Sequence, residues 1–265
     1  MKSAFCILLA VGPMAMAQPT PLDHAHAHND FEHARPLFDA VERGFGSVEA
    51  DVYLVGGQLL VGHSRDSLDA SRTLESLYLD PLRAYARQHG GRVHGGAQPL
   101  TLLIDVKTNA DSTYLVLNGV LRRYADLFTI YAGSEVIDGP IVAVISGNRA
   151  IKTMNAARVR FAGADGRIPD LTSTPRISSK VMPLISDSWE RITTWDGTSS
   201  APATLRQEID RLVSLAHQHG QRLRFWATPD NEAVWQLLTD AHVDLIGADD
   251  LEGLRLFLTR RTRGG

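Results

Sequence analysis

Eight short runs rich in β-branched and apolar residues alternate with helical stretches along this chain, and that alternation limits the fold more than any other feature. The runs fall at Leu22–His28, Ser47–Tyr53, Thr101–Val106, Ile141–Ser146, Arg158–Ala162, Met182–Ser186, Leu223–Ala227 and Val243–Ala248. Helical patterns occupy Pro36–Arg43, Leu74–Gln88, Asp111–Leu127, Leu205–Gln218 and Asn231–Ala241, with a last one at Leu251–Thr259. A strand followed by a helix and another strand returns parallel to itself, because the helical crossover carries the chain back to its starting end. Eight such units in 265 residues have the size of an α/β protein built as one (β/α)8 TIM barrel, a single domain. A doubly wound open sheet is the competing arrangement, but the turn after the first strand lacks the glycine-rich phosphate loop such sheets often carry. The longest irregular stretch, Trp189–Pro202, is read as a lid or a surface loop.

The first residues do not belong to that pattern. Lys2, the apolar run Ala4–Val11 and the small-residue site Ala15-Met16-Ala17 read as a secretory signal, so residues 1–17 are expected to be removed and 18–265 to form the barrel. The apolar run is too short to span a bilayer, which argues against a permanent membrane anchor and for a periplasmic or secreted bacterial protein. Cys6 is the only cysteine, so the exported chain is expected to resist an oxidising compartment by packing alone. A net charge of −3, from 27 basic and 30 acidic residues, argues against a nucleic-acid partner or a polybasic membrane surface. Transient membrane contact stays open, and the sequence does not set the oligomeric state.

In such a barrel, chemistry gathers at the C-terminal ends of the strands, on the inward face. The first run ends His24-Ala25-His26-Ala27-His28-Asn29-Asp30, where a period of two puts three histidines on one side. The second reads Ser47-Val48-Glu49-Ala50-Asp51-Val52-Tyr53, so Glu49 and Asp51 share a face. A strand-like return, Gln58-Leu59-Leu60-Val61-Gly62-His63-Ser64, carries another histidine back over the same end. The third run pairs Asp105 with Lys107 by the same spacing, while Ile104 and Val106 mark that strand as buried.

Three carboxylates, Glu49, Asp51 and Asp105, suit one hard divalent cation, Mg²⁺ or Ca²⁺, because ligand sets made only of oxygen select hard ions over Zn²⁺. The ammonium of Lys107, one of four lysines, would complete a cationic pocket for a phosphate. His28 and His63 flank that pocket as general acid and base, each worth about 10²-fold to 10⁴-fold. Acid, base, ion and anion clamp together specify phosphodiester cleavage. Trp226 would wall the pocket and hold a quaternary amine by cation–π contact, or else be a core tryptophan. Ser146, with Asn148, Asp165 and Asp187, is expected to line the substrate pocket, and Asn29 is counted with the substrate-binding residues beside His28. Asp249 and Asp250 are expected to cap the last helix.

The order His28-Asn29-Asp30, Gly44-x-x-Ser47-Val48-Glu49-x-Asp51-Val52, Leu60-Val61-Gly62-His63 and Asp105-x-Lys107 resembles the glycerophosphodiester phosphodiesterase and phosphatidylinositol phospholipase C superfamily. Phe225-Trp226-Ala227-Thr228 and Val243-Asp244-Leu245-Ile246 extend the likeness over nearly the whole mature chain. The resemblance implies His28 and His63 as the catalytic pair, Glu49, Asp51 and Asp105 as metal ligands, and a small or lipid phosphodiester as substrate. Asp105-x-Lys107-Thr108 and the late Trp226 are similar to sphingomyelinase D type phospholipases, and the His-Asn-Asp and Glu-Ala-Asp-Val wording is closest to bacterial relatives of the altered-inheritance-of-mitochondria family. His24, His26 and His33 are extra to the superfamily pattern and are not assigned to catalysis.

Two other classes compete. His-x-His at the end of a first barrel strand also opens zinc amidohydrolase sites, although the fifth and sixth runs contain no histidine and His89, His94, His217, His219 and His242 fall in helices or loops. The third reading is a barrel that binds phosphate or lipid headgroups without turnover, against which the intact acid, base and ligand set argues.

Overall fold

The computed structural model describes residues 19–93, 95 and 98–264, so the expected secretory segment with Cys6, and also His94, lie outside the described residues. In chain order the strands are β1 (Leu22–Ala27), β2 (Phe45–Val55), β3 (Gln58–Val61), β4 (Leu100–Val106), β5 (Ile130–Ala132), β6 (Glu135–Ile137), β7 (Ile141–Gly147), β8 (Val159–Arg160), β9 (Gly163–Gly166), β10 (Leu184–Ser188), β11 (Arg222–Trp226) and β12 (Leu245–Ala248). Eight of them pair in parallel in the order β1, β2, β4, β7, β9, β10, β11, β12, and β12 pairs back to β1. The sheet therefore closes, leaving no edge strand within the ring, and helices lie between successive strands as a TIM barrel requires. The antiparallel β3 extends β2 outward, as the Gln58–Ser64 return predicts.

The fifth barrel strand is a correction. The β-branched pattern points to Arg158–Ala162, but Val159–Arg160 pairs with β5 in a small separate sheet. The barrel instead uses Gly163–Gly166, between β7 and β10. Nothing in Gly-Ala-Asp-Gly advertises a strand, because its glycines answer to packing. A Cβ at Gly163 would lie 2.5 Å from the Pro183 ring, and one at Gly166 would lie 2.4 Å from Met182 Sδ.

The helices bury one stripe each against the outside of the ring. Ala203–Gln218 covers Leu205, Ile209, Leu212, Val213 and Ala216, a helical spacing on one face. Asn109 and Asn231 start the helices Ala110–Arg123 and Glu232–Asp240 by accepting from the backbone N–H of Ser112 and Val234. Inside the ring, Leu103, Val144, Leu184 and Leu245 form a dry plug, each contributing about 1.5–3 kcal/mol of burial. Nearer the C-terminal mouth the filling turns polar, with His26, Ser47, Glu49, Asp165, Ser186 and Arg224 all buried.

The Trp189–Pro202 stretch packs down on the barrel. Trp189 opens a short helix, stacks edge-on against Phe225 at 5.8 Å and donates its indole N–H to the carbonyl of Trp195 at 2.8 Å. Trp195 in turn donates to the carbonyl of Ser199, so the stretch is held by two buried indoles. Among the described residues no helix is long and apolar enough to cross a membrane.

Candidate active site

Strand periodicity places the acids where the sequence puts them. Asp51 on β2 and Asp105 on β4 are direct partners across the sheet, and Glu49 sits two residues deeper on the same face of β2. One ligand oxygen from each of Glu49, Asp51 and Asp105 lies within 4.8 Å of the others, the one such metal-ligating group found among the described residues. Both oxygens of Asp51 and Oδ1 of Asp105 are buried without a hydrogen-bond partner. Leaving such oxygens unsatisfied costs about 1–3 kcal/mol each, so this donor set fits a hard divalent cation.

The surrounding charges divide the acids into two kinds. Burial would raise the Glu49 carboxyl, but the charge of Arg224 and the His26 hydrogen bond outweigh it and hold Glu49 well below the usual carboxylate range. Arg224 Nη2 donates to Glu49 Oε2 at 2.8 Å, and His26 Nε2 lies 2.9 Å from the same oxygen. Burial and the charge of Arg224 push His26 down to about 3 against the pull of Glu49, so its ring is neutral and donates from Nε2. Its Nδ1 then accepts from Ser47 Oγ at 2.7 Å. Asp51 behaves in the opposite way. Burial raises it to about 7, with Lys107 opposing and the charges of Glu49 and Asp105 adding to the rise.

Lys107 lies between two acids, donating to Asp105 Oδ2 at 2.8 Å and standing 3.0 Å from Asp51 Oδ2, an ion-pair contact whose angle falls short of a hydrogen bond. Burial works against its charge, but Asp105 and Asp51 hold it above the ordinary lysine range. The expected phosphate clamp is thus also the counter-charge of its own ligand cluster.

The two histidines approach the cluster from different sides. His28 follows β1, and its Nδ1 lies 2.9 Å from Asp249 Oδ1 and 3.3 Å from Asn29 Nδ2. The shorter contact to a carboxylate assigns the proton to Nδ1 and leaves Nε2 without one. A small cavity of about 70 Å³ bounded by His28, Trp226, Asp230 and Asp249 opens beside it, and Trp226 is 39% exposed there. His63, on the turn after β3, is largely exposed, and its Nδ1 stands 3.7 Å from Asp51 Oδ2. Tyr53, on the acid face of β2, donates its hydroxyl to the His63 carbonyl at 3.1 Å and so ties that turn to the mouth.

Several expected pocket residues are bonded within the chain. Ser146 is buried and donates its hydroxyl to Asp165 Oδ2 at 2.7 Å, so it supports the floor of the mouth. Asp165 is fully buried and also bound by Ser186 and Arg167. Asp187 is buried and accepts from the backbone of Ile168 and Ser188, while Asn148 donates to the carbonyl of Thr108. Asp250 caps the last helix through Gly253, as expected, but Asp249 turns to His28. The histidines that invite an amidohydrolase reading do not converge. His24 lies at the opposite end of β1 on the carbonyl of Asp244, and His26 is enclosed behind Glu49.

Sequence reasoning missed Ser47, Arg224 and the part played by His26. The period of two was the available signal, since Ser47 lies two before Glu49 and Arg224 two before Trp226 on inward faces. A charged residue at an inward position two below the mouth needs a buried partner of opposite sign.

Three acids and two histidines thus gather at the C-terminal mouth of a closed parallel barrel. The solved structures that share the fold include a calcium-dependent phosphoinositol-specific phospholipase C from a Pseudomonas species, with a TM-score of 0.56 at 15% identity over 88% of this chain and 91% of that one. A glycerophosphodiester phosphodiesterase from Parabacteroides distasonis aligns with a TM-score of 0.54 at 14% identity, over 90% of this chain and 98% of that one. The family model for the AIM6-like phosphodiesterase domain matches residues 16–162, and the chain belongs to that family. Its relatives include altered inheritance of mitochondria protein 6 of Kluyveromyces lactis, 31% identical over 90% of this chain and 73% of that protein. The homologue from Arthroderma benhamiae is 26% identical over 87% of this chain and 82% of its own length. These relatives are fungal, whereas the motif wording points to bacterial ones.

Proposed function

We propose that this chain hydrolyses phosphoric diesters, with Glu49, Asp51 and Asp105 holding one divalent cation and His28 and His63 exchanging protons with substrate. The observation that carries the reading is the set of unpartnered buried oxygens on Asp51 and Asp105 within reach of Glu49, with His63 3.7 Å from Asp51. A bound divalent cation supplies Lewis-acid stabilisation of the phosphoryl charge. Lys107, already drawn to the cluster by Asp51 and Asp105, adds a second positive charge next to the phosphate. His28 presents Nε2 with its other nitrogen fixed by Asp249, and His63 faces it from the β3 side. One histidine takes the proton of the attacking water or substrate hydroxyl, and the other protonates the leaving oxygen. Trp226 offers an exposed aromatic face to the headgroup. Residues 1–17 direct export in this reading, which places the activity in the periplasm or outside the cell.

The test is a diester panel with and without EDTA, covering glycerophosphodiesters, lysophospholipids, sphingomyelin and a chromogenic diester. Cleavage of at least one, abolished by EDTA and restored by Mg²⁺ or Ca²⁺, is expected. Tight binding without cleavage would replace the enzyme with a headgroup-binding barrel, and restoration by Zn²⁺ alone would contradict the oxygen-ligand site.

A further inference from the structure

Glu49 and Asp105 each have one oxygen already hydrogen-bonded by the chain, whereas neither oxygen of Asp51 is. Glu49 Oε2 receives both Arg224 and His26. Asp105 Oδ2 accepts from Lys107, and Asp51 Oδ2 stands in ion-pair contact with the same ammonium. Both side-chain contacts to Glu49 fall on Oε2 and leave Oε1 to the cluster, and both oxygens of Asp51 and Oδ1 of Asp105 have no hydrogen-bond partner among the described residues. Arg224 is 3% exposed and His26 is not exposed at all, so both lie beneath Glu49 and away from any substrate. His26 is itself held from behind by Ser47.

The geometry points to Arg224 and His26 as positioning residues that restrict Glu49 to a single ligand oxygen, as Lys107 restricts Asp105, and so select Mg²⁺ over Ca²⁺. This rests on the reading of Glu49, Asp51 and Asp105 as ion ligands. Ca²⁺ takes six to eight oxygens and readily uses both oxygens of one carboxylate, whereas Mg²⁺ takes six in near-octahedral geometry and keeps several waters. Tying Oε2 to a guanidinium and an imidazole removes the two-oxygen mode from Glu49, and the Lys107 hydrogen bond to Oδ2 does the same for Asp105. The choice of residues fits the task. The guanidinium of Arg224 and the imidazole of His26 converge on the same oxygen of Glu49 from buried positions, so the carboxylate is fixed in direction.

The experiment is calorimetric titration of Mg²⁺, and separately of Ca²⁺, into EDTA-treated and desalted full-length protein. The variants are Arg224→Met, Arg224→Lys, His26→Asn and Glu49→Gln, each checked for folding by circular dichroism. Wild type is expected to bind Mg²⁺ more tightly than Ca²⁺. Arg224→Met and His26→Asn are expected to lose about 10-fold to 100-fold in Mg²⁺ affinity and less for Ca²⁺, as removal of an outer partner of a metal ligand usually does. Arg224→Lys keeps the charge and is expected to recover most of the preference. If Arg224→Met does not fold, Arg224→Lys and His26→Asn carry the same comparison. An unchanged Mg²⁺ to Ca²⁺ ratio in the Arg224 and His26 variants, with Glu49→Gln weak for both ions, overturns the positioning role and leaves the ion site standing. Undiminished binding of both ions by Glu49→Gln overturns the ion site itself.

Discussion

The Nδ1 of His28 and the Oδ1 of Asp249 meet at 2.9 Å across the seam where the last barrel strand closes on the first. The contact joins residues 221 positions apart and gives the half-buried imidazole one tautomer, with the proton on Nδ1. His28→Ala is therefore expected to lower kcat by about 10²-fold to 10⁴-fold with the fold intact. Asp249→Asn is expected to lower kcat less and to leave KM nearly unchanged, since the ring remains but loses its fixed proton. Steady-state kinetics on the best diester of the panel decide it, and an unaffected kcat in His28→Ala removes this histidine from the mechanism.

His63 contributes from a less secured position. Among the described residues its ring meets a carboxylate at Asp51, 3.7 Å away, and its backbone is held by the Tyr53 hydroxyl. His63→Ala is expected to cost kcat as His28→Ala does, whereas Tyr53→Phe loosens the turn and is expected to cost no more than about 10-fold, less than loss of a general acid or base. Equal losses in both variants would show that the turn, and not the imidazole, carries the effect.

Asp51 sets a pH dependence with a definite sign. Its raised value, about 7, means that the native, ion-free protein holds a proton there that the unfolded chain releases near 3.8. The stabilisation from that proton is complete below pH 3.8 and is lost as pH rises through about 7. Cation affinity moves the other way, increasing through the same window because the ion must displace the proton. Thermal unfolding from pH 4 to 9 with EDTA and with Mg²⁺ reads both effects. Asp51→Asn should remove the difference between the two curves above pH 7, and identical curves in wild type would contradict the assignment.

Gly147 leaves room for Asp105. Its φ is 64°, and a Cβ there would lie 1.9 Å from Asp105 Oδ1 and 2.5 Å from the Val106 carbonyl. Gly147→Ala is expected to destabilise by about 1–3 kcal/mol and to displace the Asp105 carboxylate. Weakened Mg²⁺ binding together with a lowered Tm is the anticipated result, and a lowered Tm with normal ion binding would show that Asp105 accommodates the methyl group.

Much of this site was legible because β-strand alternation is a local property. Glu49 and Asp51, then Asp105 and Lys107, share faces for no other reason than spacing, and the structure joins Asp51 to Asp105 in register. Where packing replaces propensity, that legibility fails. Gly163–Gly166 forms a barrel strand because Pro183 and Met182 leave no space for side chains, a constraint written about twenty residues away. Ser146 and Asp165 sit near strand ends, as expected, yet they bind each other, because a buried carboxylate recruits whatever hydroxyl lies beside it.

The sequence by itself determined the eight-unit alternation, the inward faces and the identity of the three acids, since each depends on neighbours within a few residues. Only the tertiary structure decided that His26 serves Glu49, that Arg224 reaches the same oxygen from 175 residues away and that Asp249 orients His28. His26 meets Glu49 across the neighbouring β1 and β2, but the Arg224 and Asp249 pairings exist because the ring closes. Closure brings the last strands beside and across from the first, where a buried charge must find its partner in the folded barrel and not along the chain.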